Sequence, residues 1–511
     1  MDLFNADMTE RTSDLSLSTK VIHGGLWITA LRISNKLLSF IRIPILAWLL
    51  RPEDFGLAGI AALTIAIIQT FTQPGLAIAL IRKKGNIRPY LDTIWMVSVI
   101  RSVCIFALII LSAPYVAVFF DAPEAEAVIR VFSITILIVG FRNPAVLYFQ
   151  RELDFKKQYM YEFSTALANL IVSGVAAVVL RNVWALVLGA IAGSVTRCFM
   201  SYVLRPYKPR FRLDKEKFLE LFEFGKWVLG SSMLYFLVSQ GDDIVLGKLF
   251  GVTMLGLYQM AYTLSDLPTT QISQIIGDVT FPAYSRIQDD KQRLRRAYEK
   301  VLQLVLMGTA ALAGGLFILA PEFTSIFLGP KWTNIVPILY ILIWAGLLKS
   351  VKGTTEPIFN ALGKPAIFTK SYFIQLIILA GVIFPLTQVS GARGIAIAVL
   401  ISQAASTIFA VVQAMRTIEF KPWNFLRIWI TPLSSMAVMI LVVFIAKQLI
   451  DANRVIIFLV LMGLGALSYL VLNIIGSRIF GLEIVKLIKE IIHSSRGKIA
   501  RSDKKWNVKS S

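Results

Sequence analysis

Charged side chains lie inside strongly apolar segments of this sequence. The clearest case is YFLVSQGDDIVLGKLF, residues 235–250, which carries Asp242 and Asp243 side by side. Carboxylates in such surroundings are costly and normally face a bundle interior or a wet cavity, where they pair with cations or exchange protons. These residue types therefore indicate binding and ion exchange rather than bond cleavage.

Catalytic and metal-binding sets have little support in the sequence. The only histidines are His23 and His493, and Cys104 and Cys198 fall in separate apolar segments without metal-ligand spacing. We find no Gly-rich loop ending in Gly-Lys-Ser/Thr and no polar segment long enough for a nucleotide-binding domain. We predict no catalytic residues, no metal site and no cofactor, and any transport must draw on a gradient or a partner rather than on bound ATP.

Basic side chains recur on one face of several apolar spans. At 100° per residue, the polar residues of the first span fall within about a 120° arc, and those of the tenth span share a second face. Because several spans show this pattern, we expect a cavity with a cationic lean that suits an anionic group such as a diphosphate. The predicted cavity residues are Arg32, Asn35, Lys36, Arg42, Gln73, Arg101, Arg142, Lys349, Lys352 and Glu356.

Each of these charged residues can have a structural role instead of a functional one. The charge can form an ion pair that holds helices together, or it can lie at a helix end with its head reaching the lipid headgroups. We favour this structural reading for the charges close to predicted span ends, which are Arg130, Arg197, Lys226 and Lys248.

The acidic residues Asp242, Asp243 and Asp278 are assigned to a gate or to ion coupling. A carboxylate in a partly dry site can take up and release a proton. Asp242 follows Arg42 by 200 residues in an internal repeat, so the two charges could pair at an outer gate. Asp243 points about 100° away from Asp242 and is a candidate for helix packing or cation binding.

The surrounding composition is that of a polytopic membrane protein. Of the 511 residues, 56% are hydrophobic and 16% charged, and the mean hydropathy is +0.69. A bilayer core needs about 20 apolar residues per helix, and fourteen such windows occur. The predicted fold class is all-α integral membrane, with about 14 transmembrane helices. The polar first 20 residues do not resemble a cleavable signal peptide, so we expect the first span to be retained.

Lys and Arg residues sort to alternate connections between the spans. One set of connections, including both termini, holds 35 of them and the opposite set holds six. Insertion leaves positive residues on the cytoplasmic side, so we predict a multi-pass protein of a bacterial inner membrane with both termini cytoplasmic. This sorting also accounts for the net charge of +21 without nucleic acid as a partner.

An internal repeat divides the spans. The segments that begin at Gly25 and Gly225 align without a gap at an offset of 200, which matches Leu46 with Leu246 and Gly56 with Gly256. Chance similarity of two apolar segments is the alternative. We predict two parallel six-helix lobes around a central cavity, related by a pseudo-twofold axis along the membrane normal, plus two extra C-terminal helices.

The repeat and the loops predict the domains. They are a cytoplasmic tail (1–21), an N-terminal lobe (22–205), a basic cytoplasmic loop (206–218), a C-terminal lobe (219–415), two further helices (427–476) and a basic cytoplasmic tail (477–511). The two further helices are either passive lipid-facing helices or a docking surface for a long lipid tail. In the basic tail, GLEIVKLIKEII forms an amphipathic helix that lies on anionic lipid or docks on the protein's own loops.

Several stretches resemble bacterial Wzx-type polysaccharide flippases. They are LLRPEDFGLAGIAALTIAIIQTFTQPGLAIALIRKK (49–84), LDTIWMVSVIR (91–101), RELDFKKQ (151–158) and DDIVLGKLFGVTMLGLYQMAYTLSDLP with the later FPAYSRIQDD (242–290). The resemblance is to the colanic-acid and succinoglycan exporter branch of the multidrug/oligosaccharidyl-lipid/polysaccharide exporter superfamily. It implies alternating-access export of undecaprenyl-diphosphate-linked oligosaccharide for surface polysaccharide synthesis, as a transporter and not an enzyme. Membrane lipids, a polysaccharide polymerase and chain-length or export proteins are the expected partners.

Two other functions stay open. A multidrug or organic-cation antiporter of the same superfamily would prefer an acidic and aromatic cavity, and the cationic lean argues against it. A membrane-embedded glycosyltransferase or polymerase would use Asp242 and Asp243 as a metal or donor-sugar site. Such an enzyme normally needs a large extracytoplasmic loop for its acceptor, and the predicted outward connections are short.

Overall fold

The computed structural model describes residues 34, 37–72, 76, 79–80, 83, 85–152, 154–449 and 454–479, and for 150, 224–228, 231, 267–279 and 477–479 it describes the backbone alone. In this part of the chain every regular element is a helix. Backbone groups find no water in a bilayer core, and a helix satisfies them within one segment. The predicted all-α membrane fold is confirmed.

The helices follow the apolar windows of the sequence. Those of the first half are α1 (Leu37–Leu49), α2 (Pro52–Thr72), α3 (Arg88–Phe119), α4 (Glu124–Phe132), α5 (Ile134–Gly140), α6 (Phe155–Leu180) and α7 (Trp184–Leu204). The later ones are α8 (Lys215–Arg286), α9 (Lys291–Phe323), α10 (Val336–Ala361), α11 (Ala366–Ser390), α12 (Ala392–Thr417), α13 (Pro422–Leu449) and α14 (Arg454–Ile479).

Eleven helices of the described chain are long and apolar enough to cross a membrane. The predicted number of fourteen is not confirmed, and the difference arises in three places. The first span is described only as the short helix α1, the fourth is divided between α4 and α5, and the seventh and eighth are both contained in α8, where 232–266 counts as one candidate span.

The fourth predicted span, 127–147, is not one helix. It is interrupted at Ser133, whose hydroxyl donates to the carbonyl oxygen of Arg130, and helix α5 already ends at Gly140. Asn143 is extended, with ψ of 118°, as expected for a residue before proline. Its side-chain oxygen accepts from the backbone N–H of Ala145. Hydropathy alone missed this local capping chemistry.

Helix α8 folds back on itself at Gly251. That residue has φ of 76° and ψ of −177°, inside an otherwise helical run. Tyr258 bonds to Asp242, 16 residues earlier, a separation of about 24 Å in a continuous helix at 1.5 Å per residue. The two arms of α8 therefore lie side by side, and the predicted break between spans 7 and 8 is present.

The described chain forms two compact units. The first contains the described residues up to Ala261, with Phe327–Ile335 and Leu379–Ile395. The second contains Tyr262–Ile326, Val336–Ile378 and the described residues from Ala396 onward. The predicted lobes, 22–205 and 219–415, are defined by the repeat rather than by compactness, and they stay a prediction.

Small residues bring helices together within each unit. In the first unit α6 packs along α7, where a Cβ added at Gly189 would lie 2.5 Å from the Cβ of Ser173. In the second unit α9 packs against α10, α13 and α14, and Gly314 of α9 lies against Met436 of α13. Such close approach is how helices associate in lipid, where apolar burial gives little driving force.

Candidate functional site

The two adjacent carboxylates are enclosed between the arms of α8. Asp242 is 2% exposed and Asp243 is 8% exposed. The Tyr258 hydroxyl donates to Asp242 Oδ2 at 2.6 Å, and the Gln259 amide donates to Asp243 Oδ2 at 3.3 Å. Asp243 Oδ1 is buried without a hydrogen-bond partner among the described residues. An oxygen in this position can accept a proton or a cation.

Arg42 does not bind Asp242 in this structure. Its guanidinium donates to the side-chain oxygen of Asn169 at 2.7 Å, which links α1 to α6, while Asp242 accepts from Tyr258. The repeat makes Arg42 and Asp242 equivalent positions, and equivalence does not make two residues neighbours. The gate pairing of these two charges is therefore not formed here.

Arg101 and Arg142 occupy different kinds of position in the first unit. Arg101 lies on α3, half-buried, and its Nε atom is buried without a hydrogen-bond partner in the described part of the chain. Arg142 lies beyond the end of α5, in the turn before Pro144, and is also half-buried. Their role as cavity residues stays a prediction.

Lys349 of α10 forms a partly open ion pair in the second unit. Its ammonium lies 2.7 Å from Asp266 Oδ2, with the two side chains 35% and 23% exposed. The same ammonium lies 5.6 Å from the centre of the Tyr262 ring. Because the pair is only partly enclosed, an anionic ligand can compete with Asp266 for the Lys349 ammonium.

Lys352 lies only three residues further along α10, yet it is enclosed. It is 3% exposed, donates to Gln375 Oε1 at 3.0 Å, and lies 3.9 Å from the centre of the Tyr372 ring. Glu356, one turn later, is exposed. The face predicted from helical phase is therefore not uniform, and the geometry at Lys352 fits the structural reading.

A chain of hydrogen bonds continues from Lys352 through neighbouring helices. Gln375 of α11 donates to Gln403 of α12 at 3.0 Å, and Gln403 donates to Thr407 at 3.1 Å. The Thr407 hydroxyl then donates to the carbonyl oxygen of Leu348. The sequence analysis did not predict these uncharged partners, although the glutamines of spans 11 and 12 are visible in the sequence.

Some predicted residues lie outside what the structure describes. They are Arg32, Asn35, Lys36 and Gln73, the side chains of Lys226 and Asp278, and the amphipathic helix predicted at GLEIVKLIKEII. For the helix-end charges the structural reading fits, since Arg130 pairs with Glu126, Arg197 with Glu162 and Lys248 with Asp121. The described residues contain no group of three or more His, Cys, Asp or Glu that could hold a metal.

An apolar cavity lies inside the second unit, between α9, α13 and α14. Its volume is about 550 Å³, and its wall includes Leu316, Phe323, Val443 and Phe458. Gly315 contributes to the same wall, and a Cβ added there would meet no atom within 4 Å. The cavity can accept a flexible hydrocarbon chain.

This arrangement of helices is a fold that solved membrane transporters share. The structure is similar to "Lipid II flippase MurJ, inward closed conformation", with a TM-score of 0.71 and 16% identity, covering 89% of this chain and 99% of that one. It is also similar to the inward-facing conformation of a multidrug resistance MATE family transporter of the MOP superfamily. That TM-score is 0.62 at 17% identity, covering 75% of this chain and 94% of the other.

Sequence comparison then places the protein in a family. Residues 45–337 match the family described as "Polysaccharide biosynthesis protein", and the chain belongs to that family. It is 26% identical to "Lipopolysaccharide biosynthesis protein WzxC" of Escherichia coli (strain K12), covering 78% of this chain and 81% of the relative. It is 22% identical to "Succinoglycan biosynthesis transport protein ExoT" of Rhizobium meliloti (strain 1021), covering 68% and 70%.

Proposed function

We propose that the protein is a flippase that moves an undecaprenyl-diphosphate-linked oligosaccharide from the inner to the outer leaflet of a bacterial cytoplasmic membrane, for surface polysaccharide synthesis. The observation that carries the proposal is membership of the polysaccharide biosynthesis family, in which a relative covering 68% of this chain is named a transport protein. The protein works as a transporter, and no step of the proposed cycle makes or breaks a covalent bond.

The charged end of the cargo needs cationic side chains that it can reach. Lys349 meets this requirement, because its ion pair with Asp266 is about one-third exposed on the lysine side. A diphosphate carries more charge than the Asp266 carboxylate and can bind the ammonium in its place. Arg32, Lys36, Arg42, Arg101 and Arg142 are proposed to contribute further positive charge to cargo binding.

The lipid end of the cargo is proposed to enter the cavity between α9, α13 and α14. Its wall is apolar, and lipid tails are as apolar as the leucines around them, so the cavity adds little net affinity. Its effect is to hold the chain in one place while the headgroup crosses. This assigns the docking role, and not the passive one, to the two helices that follow the repeat.

The remaining assignments complete the proposal. Both termini lie in the cytoplasm, the lobes are residues 22–205 and 219–415, and the carboxylates of Asp242, Asp243 and Asp278 couple transport to an ion gradient. The polysaccharide polymerase and the chain-length or export proteins receive the cargo on the far side. The buried, unbonded Oδ1 of Asp243 supports the coupling role.

Complementation of a deletion strain tests this function. We expect the intact gene to restore surface polysaccharide and to remove the accumulated lipid-linked precursor. Lys349→Gln should leave the precursor in the inner leaflet, whereas the matched control Lys447→Gln, which breaks an ion pair with Glu322 in the same unit, should export normally at equal protein level. A wild-type gene that clears no precursor would refute the function.

An organic-cation antiporter is the second candidate, because the fold is shared with a MATE transporter and a buried acidic pair is present. It predicts resistance to cationic drugs in the expressing strain, with loss of resistance in Asp243→Asn. The flippase predicts no change in drug resistance. The two outcomes can be measured in the same strains.

A further inference from the structure

Two glycines that are equivalent in the repeat make the same contact with each other's helix. A Cβ added at Gly56 of α2 would lie 1.9 Å from the carbonyl oxygen of Val252. A Cβ added at Gly256 of α8 would lie 1.9 Å from the carbonyl oxygen of Pro52. Only glycine permits this approach, since real Cβ atoms do not come within such distances of a carbonyl oxygen.

The contact is reciprocal under the offset of 200. Pro52 corresponds to Val252 and Gly56 to Gly256, so position 56 of each repeat touches position 52 of the other. A contact in which i touches j and j touches i is the signature of a twofold axis. The starts of α2 and of the second arm of α8 therefore meet on the pseudo-twofold axis of the repeats.

A second pair of contacts surrounds the first and meets equivalent positions in the two halves. In one direction, the Phe120 ring lies 2.8 Å from a Cβ added at Gly247, and Lys248 pairs with Asp121 at 2.7 Å. The two residues that follow α3, Phe120 and Asp121, therefore contact the end of the first arm of α8.

In the other direction, the residues after α9 hold the end of α1. The Trp332 ring nitrogen donates to the carbonyl oxygen of Ala47 at 2.9 Å, and the Lys331 ammonium donates to that of Trp48 at 2.9 Å. Ala47 and Trp48 correspond to Gly247 and Lys248 in the repeat. Each half thus contacts the same two positions of the opposite half. One half uses a ring and an ion pair, and the other uses hydrogen bonds to carbonyl oxygens.

The next layer links this region to the acidic pair. A Cβ added at Gly59 would lie 2.2 Å from Gln259 Oε1, and position 59 corresponds to 259 in the repeat. The Gln259 amide also donates to Asp243. One side chain therefore contacts the first half of the repeat and a buried carboxylate of the second half.

We infer that these reciprocal contacts, hereafter the glycine seam (positions 52, 56 and 59 with 252, 256 and 259), are the closed extracytoplasmic gate of the transporter. The inference rests on the proposed function. Backbone lies against backbone at the seam, so no headgroup passes while it is closed, and release requires α2 and the second arm of α8 to separate. Separation also withdraws Gln259 from Gly59, which joins gate opening to the surroundings of Asp243.

A disulfide across the seam tests the gate. In a variant with Cys104→Ser and Cys198→Ser, we introduce Gly59→Cys and Gln259→Cys; shortening Gln259 vacates the atoms that a side chain at 59 would meet. Disulfides need Cβ atoms about 3.5–4.5 Å apart, and a Cβ added at Gly59 would lie 2.9 Å from the Cδ of Gln259, so the two cysteines start close together. We expect oxidised membranes to show the cross-link, export to stop while it is present, and reductant to restore export.

Full export by the cross-linked protein would show that the seam is a fixed hinge, and failure of the cysteines to cross-link would show that the seam is not closed in membranes; either overturns the gate. Failure of the wild type to export would refute the proposed function instead. The single-cysteine variants are the controls for oxidation.

Alanine substitutions provide an independent measurement. Gly56→Ala and Gly256→Ala should each abolish export, because the added Cβ prevents closure. Gly241→Ala is the matched control, since its Cβ would meet no atom within 4 Å, and it should export normally. If the seam variants do not accumulate, Asp121→Cys with Lys248→Cys, joined by a bifunctional thiol reagent, must block export reversibly. Normal export in that joined protein contradicts the gate.

Discussion

Lys349 and Lys352 show that the surroundings of a charged side chain determine its role. Both lie on the same face of α10 by helical phase, but the first pairs with Asp266 at a partly open position and the second is 3% exposed. The enclosed ammonium has Gln375 as its side-chain acceptor and the Tyr372 ring beside it. A buried charge survives only where such groups replace water. We therefore expect Lys349 to act on the cargo and Lys352 to hold helices together.

A double-mutant cycle tests the role of Lys352. Gln375→Leu leaves the buried ammonium without its side-chain acceptor and should lower the free energy of unfolding by about 1.5–3 kcal/mol, the range for hydrogen bonds to charged groups. Adding Lys352→Met removes the orphaned charge, so the double variant should be more stable than Gln375→Leu alone. Thermal unfolding in detergent measures both. Additive losses would contradict a direct interaction.

A charge reversal separates the two roles available to Lys349. Lys349→Asp combined with Asp266→Lys rebuilds the ion pair with its charges exchanged, so the thermal midpoint should match the wild type. Export should still be lost, because the cation no longer stands at position 349. Restored export in the reversed pair would mean that the pair serves only to hold the helices.

At the scale of elements, α8 depends on one glycine. Gly251 has φ of 76° and ψ of −177°, a region open almost only to glycine. The reversal there sets Tyr258 against Asp242 and Gln259 against Asp243. The break between these spans could be predicted from the sequence. The pairing of residues 16 apart could not, because it depends on the direction in which the chain leaves the turn.

Replacing this glycine should uncouple the two arms. A Cβ at Gly251 would meet no atom within 4 Å, so Gly251→Ala acts through the backbone alone and should cost about 1–3 kcal/mol of stability. Gly241→Ala, in the interior of the first arm, should be neutral or slightly stabilising, by up to about 1 kcal/mol. Thermal unfolding compares the two, and equal midpoints would contradict a strained turn.

At the scale of the whole molecule, the proposed function assigns the lipid chain of the cargo to the apolar cavity and its charged end to the basic residues. Gly315→Leu should fill the cavity between α9, α13 and α14 without a backbone clash, since nothing lies within 4 Å of its Cβ. We expect unchanged or higher thermal stability and reduced export, because the lipid chain loses its place. Gly463→Leu, on α14 with open space at its Cβ, is the control and should export normally.

Normal export by Gly315→Leu at wild-type protein level would show that the cavity is not occupied during transport. The docking role of α13 and α14 would then give way to the passive lipid-facing role. Photo-crosslinking of an isoprenoid phosphate to the cavity wall, compared between the variants, provides a second readout that does not depend on export.

The sequence alone determined the membrane class, most of the helical segments, the break between spans 7 and 8, and the family. Composition, hydropathy and short motifs are local properties, so they can be interpreted without the fold. The partners of the charges were decided only by the tertiary structure. Asp242 bonds to Tyr258 and Arg42 to Asn169, although the repeat suggested that they pair with each other. The offset of 200 identified Gly56 and Gly256 as equivalent, but only packing revealed that each touches the other's helix. Helical phase describes one helix at a time, and a contact depends on the position of two.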